Sequence, residues 1–188
     1  MKPWRIVCML ALMAQFAAPF TCAQETSVNR TQDASKSAPQ ERQGGTDETQ
    51  KRLERLACAS SGVHFSHRTD ASPQVLPGQP ADKGLIYVIR SVRGGLQSKL
   101  AMDGKWMGVN RGANYFYFEA EPGPHYFCSK SGWEKPALLS LVVEKSKTYY
   151  LHQSYTIGGM ELNLLDEEQG KQYVAKFHRS VFEVKPKK

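Results

Sequence analysis

No apolar run in this 188-residue chain reaches the roughly 20 residues that a spanning helix needs. The longest, Ile6 to Phe20, is interrupted by Gln15 and Pro19, and a multi-span membrane protein is excluded. The sequence also lacks a G-x-S-x-G nucleophile elbow and a glycine-rich phosphate cradle. Its glycine pairs, Gly94-Gly95 and Gly158-Gly159, read as turns between strands. Aromatic residues are missing altogether from 24–56, where only Val28, Ala34, Ala38, Leu53 and Leu56 are apolar. Such a stretch buries too little surface to offset its chain entropy, so it is read as a disordered linker, although its last part, ETQKRLERLA, has helix-forming residues for a frayed turn or two with Leu53 and Leu56 as a docking pair. Cysteine is scarce, with four in the chain.

What is present begins with an address. Residues 1–23 combine Lys2 and Arg5, the short apolar run, and the small residues Thr21-Cys22-Ala23, the pattern of a secretory signal peptide cut after Ala23. Lipidation at Cys22 fits poorly, because Pro19 and Phe20 stand where such a site prefers other residues. The expected product is exported, periplasmic or extracellular, with no transmembrane segment after cleavage. Removing Lys2 and Arg5 lowers the formal charge from +7 to +5. A modest basic surplus outside the cytoplasm suits anionic envelope polymers or lipid headgroups. Cys8 and Cys22 leave with the leader, so Cys58 and Cys128 remain to pair in an oxidising compartment.

The folded domain is expected over 57–188. Gly84 to Arg90 (GLIYVIR) is apolar on both faces, as a central strand must be. Leu96 to Met102 alternates and Asp103-Gly104 signals a tight hairpin into Lys105 to Val109. Further β-type runs, NYFYFE, HYFCS, Ala137 to Glu144, TYYLHQSY and Met160 to Leu165, are divided by turn residues. Close spacing without helical period indicates an all-β fold, an antiparallel sandwich or barrel, of which the antiparallel β-sandwich is the expectation. Asp166-Glu167-Glu168 predicts at most a short C-terminal helix, which Gly170 weakens.

The ordered string ACASSGVHFSHRTD, GLIYVIR, MDGKWMGVNRGANYFYFEAEPGPHYFCS, KTYYLHQSY and LNLLDEEQGKQYV resembles the secreted bacterial domain-of-unknown-function family two-eight-four-six, over 57 to about 184. The part from DGKWMG to PGPHYFC is similar to PEGA-type surface modules. The resemblance implies a compact exported sandwich of the carboxypeptidase-regulatory or PEGA-like kind, with no assigned reaction.

Chemistry-bearing residues give few constellations. His64 and His67 lie three apart in a β-like or coil segment, where that spacing points to opposite faces, so no metal site is assigned. No catalytic residue, cofactor or nucleic-acid partner is assigned either. The outward rings of Tyr115, Tyr117, Tyr149 and Tyr150, if aligned, make a ligand platform for a sugar or a partner strand; cross-strand packing is the competing role. The expectation is a non-enzymatic envelope-associated module whose ligand is an unknown envelope polymer or protein. An exported hydrolase with an unrecognised site is the alternative.

Overall fold

A computed structural model describes residues 47–60, 63–132 and 134–186. The expected signal peptide and the first part of the expected linker, 24–46, lie outside the described residues. The described chain runs α1 (Asp47–Ala57), β1 (Val63–Asp70), β2 (Gly84–Arg90), β3 (Ser98–Met102), β4 (Lys105–Asn110), β5 (Asn114–Ala120), β6 (Gly123–Lys130), β7 (Ala137–Val143), β8 (Thr148–Thr156), β9 (Gly159–Leu165), α2 (Glu167–Lys176) and β10 (His178–Pro186). The strands form the expected sandwich: a six-stranded sheet, β1-β10-β5-β2-β8-β9, and a four-stranded sheet, β4-β3-β6-β7. Most neighbours are antiparallel; β2 with β8 and β10 with β5 are parallel.

The central strand explains the sequence most directly. Every residue of β2 is buried. Ile86 and Val88 face the inter-sheet core with Phe116, Phe127 and Leu151, while Leu85, Tyr87 and Ile89 face the opposite side. That second side is covered by α2, through Val174, Tyr173 and Phe177. Asp166 caps α2 by accepting from the Gln169 amide at 2.8 Å. Gly170, which read as a weakness, is what permits this packing: a Cβ there would fall inside the Tyr150 ring.

Asp103 and Gly104 both have positive φ, 49° and 76°, as a type I′ hairpin turn requires. The Asp103 carboxylate also fastens the hairpin to β6, accepting from the Tyr126 amide at 2.9 Å and meeting His125 Nδ1 at 2.6 Å.

The linker reading is corrected over 47–56, which belong to α1. Ala57 buries itself against Ala101 and Cys128 on the outer face of the small sheet, and its carbonyl accepts from the Gly104 amide. A disulfide joins Cys58 to Cys128, as expected, with Cα atoms 5.0 Å apart. An isolated helix of 11 residues is marginal in water. Here tertiary contact and a covalent tie hold one that composition assigned to linker. Strands β1 and β10 pair along eight residues, from Val63↔Pro186 to Asp70↔Arg179. The second went unforeseen because its charged residues dilute the β signal.

Candidate functional site

The four tyrosines of the expected platform separate by strand parity. Tyr115, Tyr117 and Tyr150 do converge, around Tyr87, with ring centroids 6.0, 5.6 and 5.3 Å from it. They are not an open stacking surface. Tyr115 and Tyr150 are only 1% and 5% exposed, because α2 packs on this same cluster. Tyr149 points the other way, toward the inter-sheet core, with its hydroxyl held at the Glu144 amide and the Val142 carbonyl. The platform is therefore corrected to sheet packing. Burial, reinforced by the neighbouring phenols, pushes the Tyr87 hydroxyl up to about 12. At the margin of the cluster Arg179 donates to the Tyr117 hydroxyl at 3.4 Å and to Asp70 at 3.2 Å. Hydrogen bonds from the Ser72 hydroxyl and amide, with Arg179 beside it, hold the Asp70 carboxyl down at about 2.

One end of the sandwich is built differently from the rest. Arg90, at the end of β2, is 1% exposed and ranks among the largest fully buried side chains. It has no carboxylate partner among the described residues. Instead its Nη1 donates to the carbonyls of Val92 and Gly94, at 3.0 and 2.9 Å, and its guanidinium stands 5.6 Å from the Tyr155 ring centroid. Burial pushes the guanidinium below its usual value, and Tyr155 opposes that shift. Around it lies a layer of buried polar side chains. Asn110 donates to the Val88 carbonyl and to Gln153, Gln153 donates to Ser129 at 2.8 Å, and Ser98 meets the Tyr155 hydroxyl at 3.1 Å.

This layer braces the loops that leave it. Arg90 ties down 91–97 from within, and Asn114 donates to the Arg111 carbonyl across the 111–113 turn. The braced loops expose aliphatic residues. Leu96 is 59% exposed, Val92 lies at 36%, and Ile157, at the β8–β9 turn, is fully exposed. Tyr155 touches both Arg90 and Ser98, and Ile157 follows Tyr155 by two residues while Leu96 precedes Ser98 by two, so these tips leave the same end of the sandwich. Arg93 and Arg111 rise from the same loops as exposed cations, and neither forms an ion pair among the described residues.

A second arrangement adjoins this end on the outer face of the large sheet. Ser91 Oγ lies 2.8 Å from His152 Nε2, and the imidazole stacks on Tyr173 with centroids 5.4 Å apart. Burial lowers the His152 pKa from its ordinary 6.5, so the ring is neutral at pH 7 and able to accept a proton. Chain separation hid this pair in the sequence, because the two residues stand 61 positions apart. Among the other histidines, His67 meets Asn114 at 3.1 Å while His64 is exposed. Among the described residues no three His, Cys, Asp or Glu side chains gather at a possible metal position, and no helix is long and apolar enough to cross a membrane.

No protein-family model matches the chain. It is similar to an uncharacterized protein of Haemophilus influenzae, at 26% identity over 131 residues, covering 66% of this chain and 77% of that protein.

Proposed function

We propose that this chain is an exported module of the cell envelope that docks peripherally on an anionic lipid surface through the loop end of its sandwich. The observation that carries the reading is the combination at that end: three exposed aliphatic tips, two arginines without an ion pair among the described residues, and a buried arginine spent on holding the loop. Aliphatic tips immersed below headgroups gain on the order of 25 cal/mol per Å² buried. Each basic residue beside an anionic leaflet adds about 1 kcal/mol. A pre-braced loop loses little conformational entropy on docking. The disulfide and the leader-like N-terminus both suit an oxidising compartment outside the cytoplasm. A photo-crosslinking residue at position 157 tests the reading: it should capture lipid from the envelope, while the same probe at exposed Ser140 on β7 should not. Equal capture at both positions refutes it.

The second reading, an exported hydrolase, is favoured by Ser91 and His152, a hydroxyl already hydrogen-bonded to a neutral imidazole. A serine-directed phosphonate separates the two. The docking reading expects no adduct at Ser91; a Ser91 adduct lost in His152→Ala would establish the hydrolase.

A further inference from the structure

An open cleft of about 350 Å³ lies between α1 and the end of β6, lined by Lys51, Glu54, Arg55, Cys58, Ala59 and Lys130. Its charge has a structural origin. Lys99 and Lys130 stand directly opposite each other in the β3–β6 register, where like charges repel. Lys99 relieves this by turning onto the Phe65 and Trp106 rings, at 5.4 and 5.8 Å from their centroids. Lys130 lines the cleft and has no ion pair among the described residues. On the facing helix Lys51 pairs with Asp47 at 2.6 Å and Arg55 with Glu48 at 3.7 Å. Both pairs are exposed, and such pairs yield readily to a better anion. Lys130 is thus the lining cation without an ion pair among the described residues, and Lys51 and Arg55 are held only by exposed pairs beside it.

We infer that this cleft is a binding site for a phosphate group. A phosphomonoester carries about two negative charges at neutral pH, enough to engage Lys130 and to draw Lys51 and Arg55 from their exposed pairs. Arg55 offers a planar fork and the two lysines offer point charges, the donor set that oxyanions of this kind accept. The disulfide at the floor fixes the helix bearing Lys51 and Arg55 relative to the strand bearing Lys130, so the cations are held apart before any ligand arrives. The site shares no lining residue with the aliphatic loop tips, and its occupant is either free phosphate or a lipid phosphate headgroup.

Titration of the oxidised protein with inorganic phosphate, followed by amide NMR against sodium chloride of equal ionic strength, tests the site. Saturable shifts should be confined to the amides around Lys51, Arg55, Ala59 and Lys130. Lys130→Gln should weaken binding about tenfold, Lys130→Arg should restore it, and Lys171→Gln, on the helix that covers the other sheet, should leave it unchanged. Reduction of the disulfide should also weaken it. Vesicles of phosphatidylcholine with phosphatidic acid form the second arm: binding that phosphate displaces and Lys130→Gln abolishes assigns the source to a headgroup, and phosphate binding without vesicle competition assigns it to the free anion. A variant with Val92, Leu96 and Ile157 all changed to Ser should keep the phosphate titration, so loss of the docking reading leaves this one standing. Unsaturable shifts, or equal affinity in Lys130→Gln and the parent, overturn the proposal.

Discussion

Val88 sits in the middle of β2 with no exposed surface, packed between the two sheets. Aspartate there would bury a charge without a partner, a defect of several kcal/mol. Val88→Asp should therefore be unfolded by circular dichroism at neutral pH. Lys105→Asp, on an exposed hairpin residue, should move the urea midpoint little. Lys99→Asp, which looks equally harmless in the sequence, should be worse than Lys105→Asp because Lys99 lies over two aromatic rings. Asp70 offers a test in acid. Its carboxyl is depressed from 3.8 to about 2, so the stability it contributes is complete above about pH 4 and is lost as pH falls through about 2. Asp70→Asn should flatten the fall of the urea midpoint between those two values; an unchanged acid profile would show that Asp70 is not the titrating group. At this scale the apolar pattern of GLIYVIR made Val88 legible in advance. Arg90 was not: a charged residue ending an apolar strand reads as its solvent boundary, and only the fold reveals that loop carbonyls close over it.

Among the elements, α1 stands where composition read linker, and α2 is the short C-terminal helix that Asp166-Glu167-Glu168 predicts. Each is short, and each is stabilised by what lies beneath it. For α1 that is the Ala57–Ala101–Cys128 contact and the disulfide. Replacing both cysteines by serine releases a closure spanning 70 positions, worth roughly 4 kcal/mol in the chain-entropy model. The double variant should lose stability of that order in urea, and exchange at α1 amides should rise before exchange at β2. Stability equal to the parent would contradict the role given to the tie. For α2, Gly170→Ala would improve helix propensity by up to about 1 kcal/mol in isolation. It should nevertheless lower the melting temperature, since the added methyl meets the Tyr150 ring. The strands were easier to read because their turns are marked by Asp-Gly, Pro-Gly and Gly-Gly. The tyrosine platform failed for a related reason: alternation gives which rings share a face, and it does not say that a helix later in the chain will cover that face.

At the largest scale the described residues form a sandwich whose two outer faces carry one helix each, which leaves its ends as the places where loops can act. One end is the Asp103-Gly104 hairpin side, fastened by His125 and Tyr126. The other is the braced, aliphatic-tipped end above Arg90, and the basic cleft opens beside it. The sequence did not single out this end, because Val92 and Leu96 lie on the β2–β3 loop and Ile157 on the β8–β9 turn, and only the strand order brings those loops to one end. The measurement that tests the docking account most directly is co-sedimentation with vesicles of phosphatidylcholine and phosphatidylglycerol. The oxidised parent protein should sediment with them and be partly released by salt, whereas the variant carrying Asp at positions 92, 96 and 157 should stay in the supernatant while unfolding at the parent's temperature. A folded triple variant that sediments as well as the parent would contradict the account.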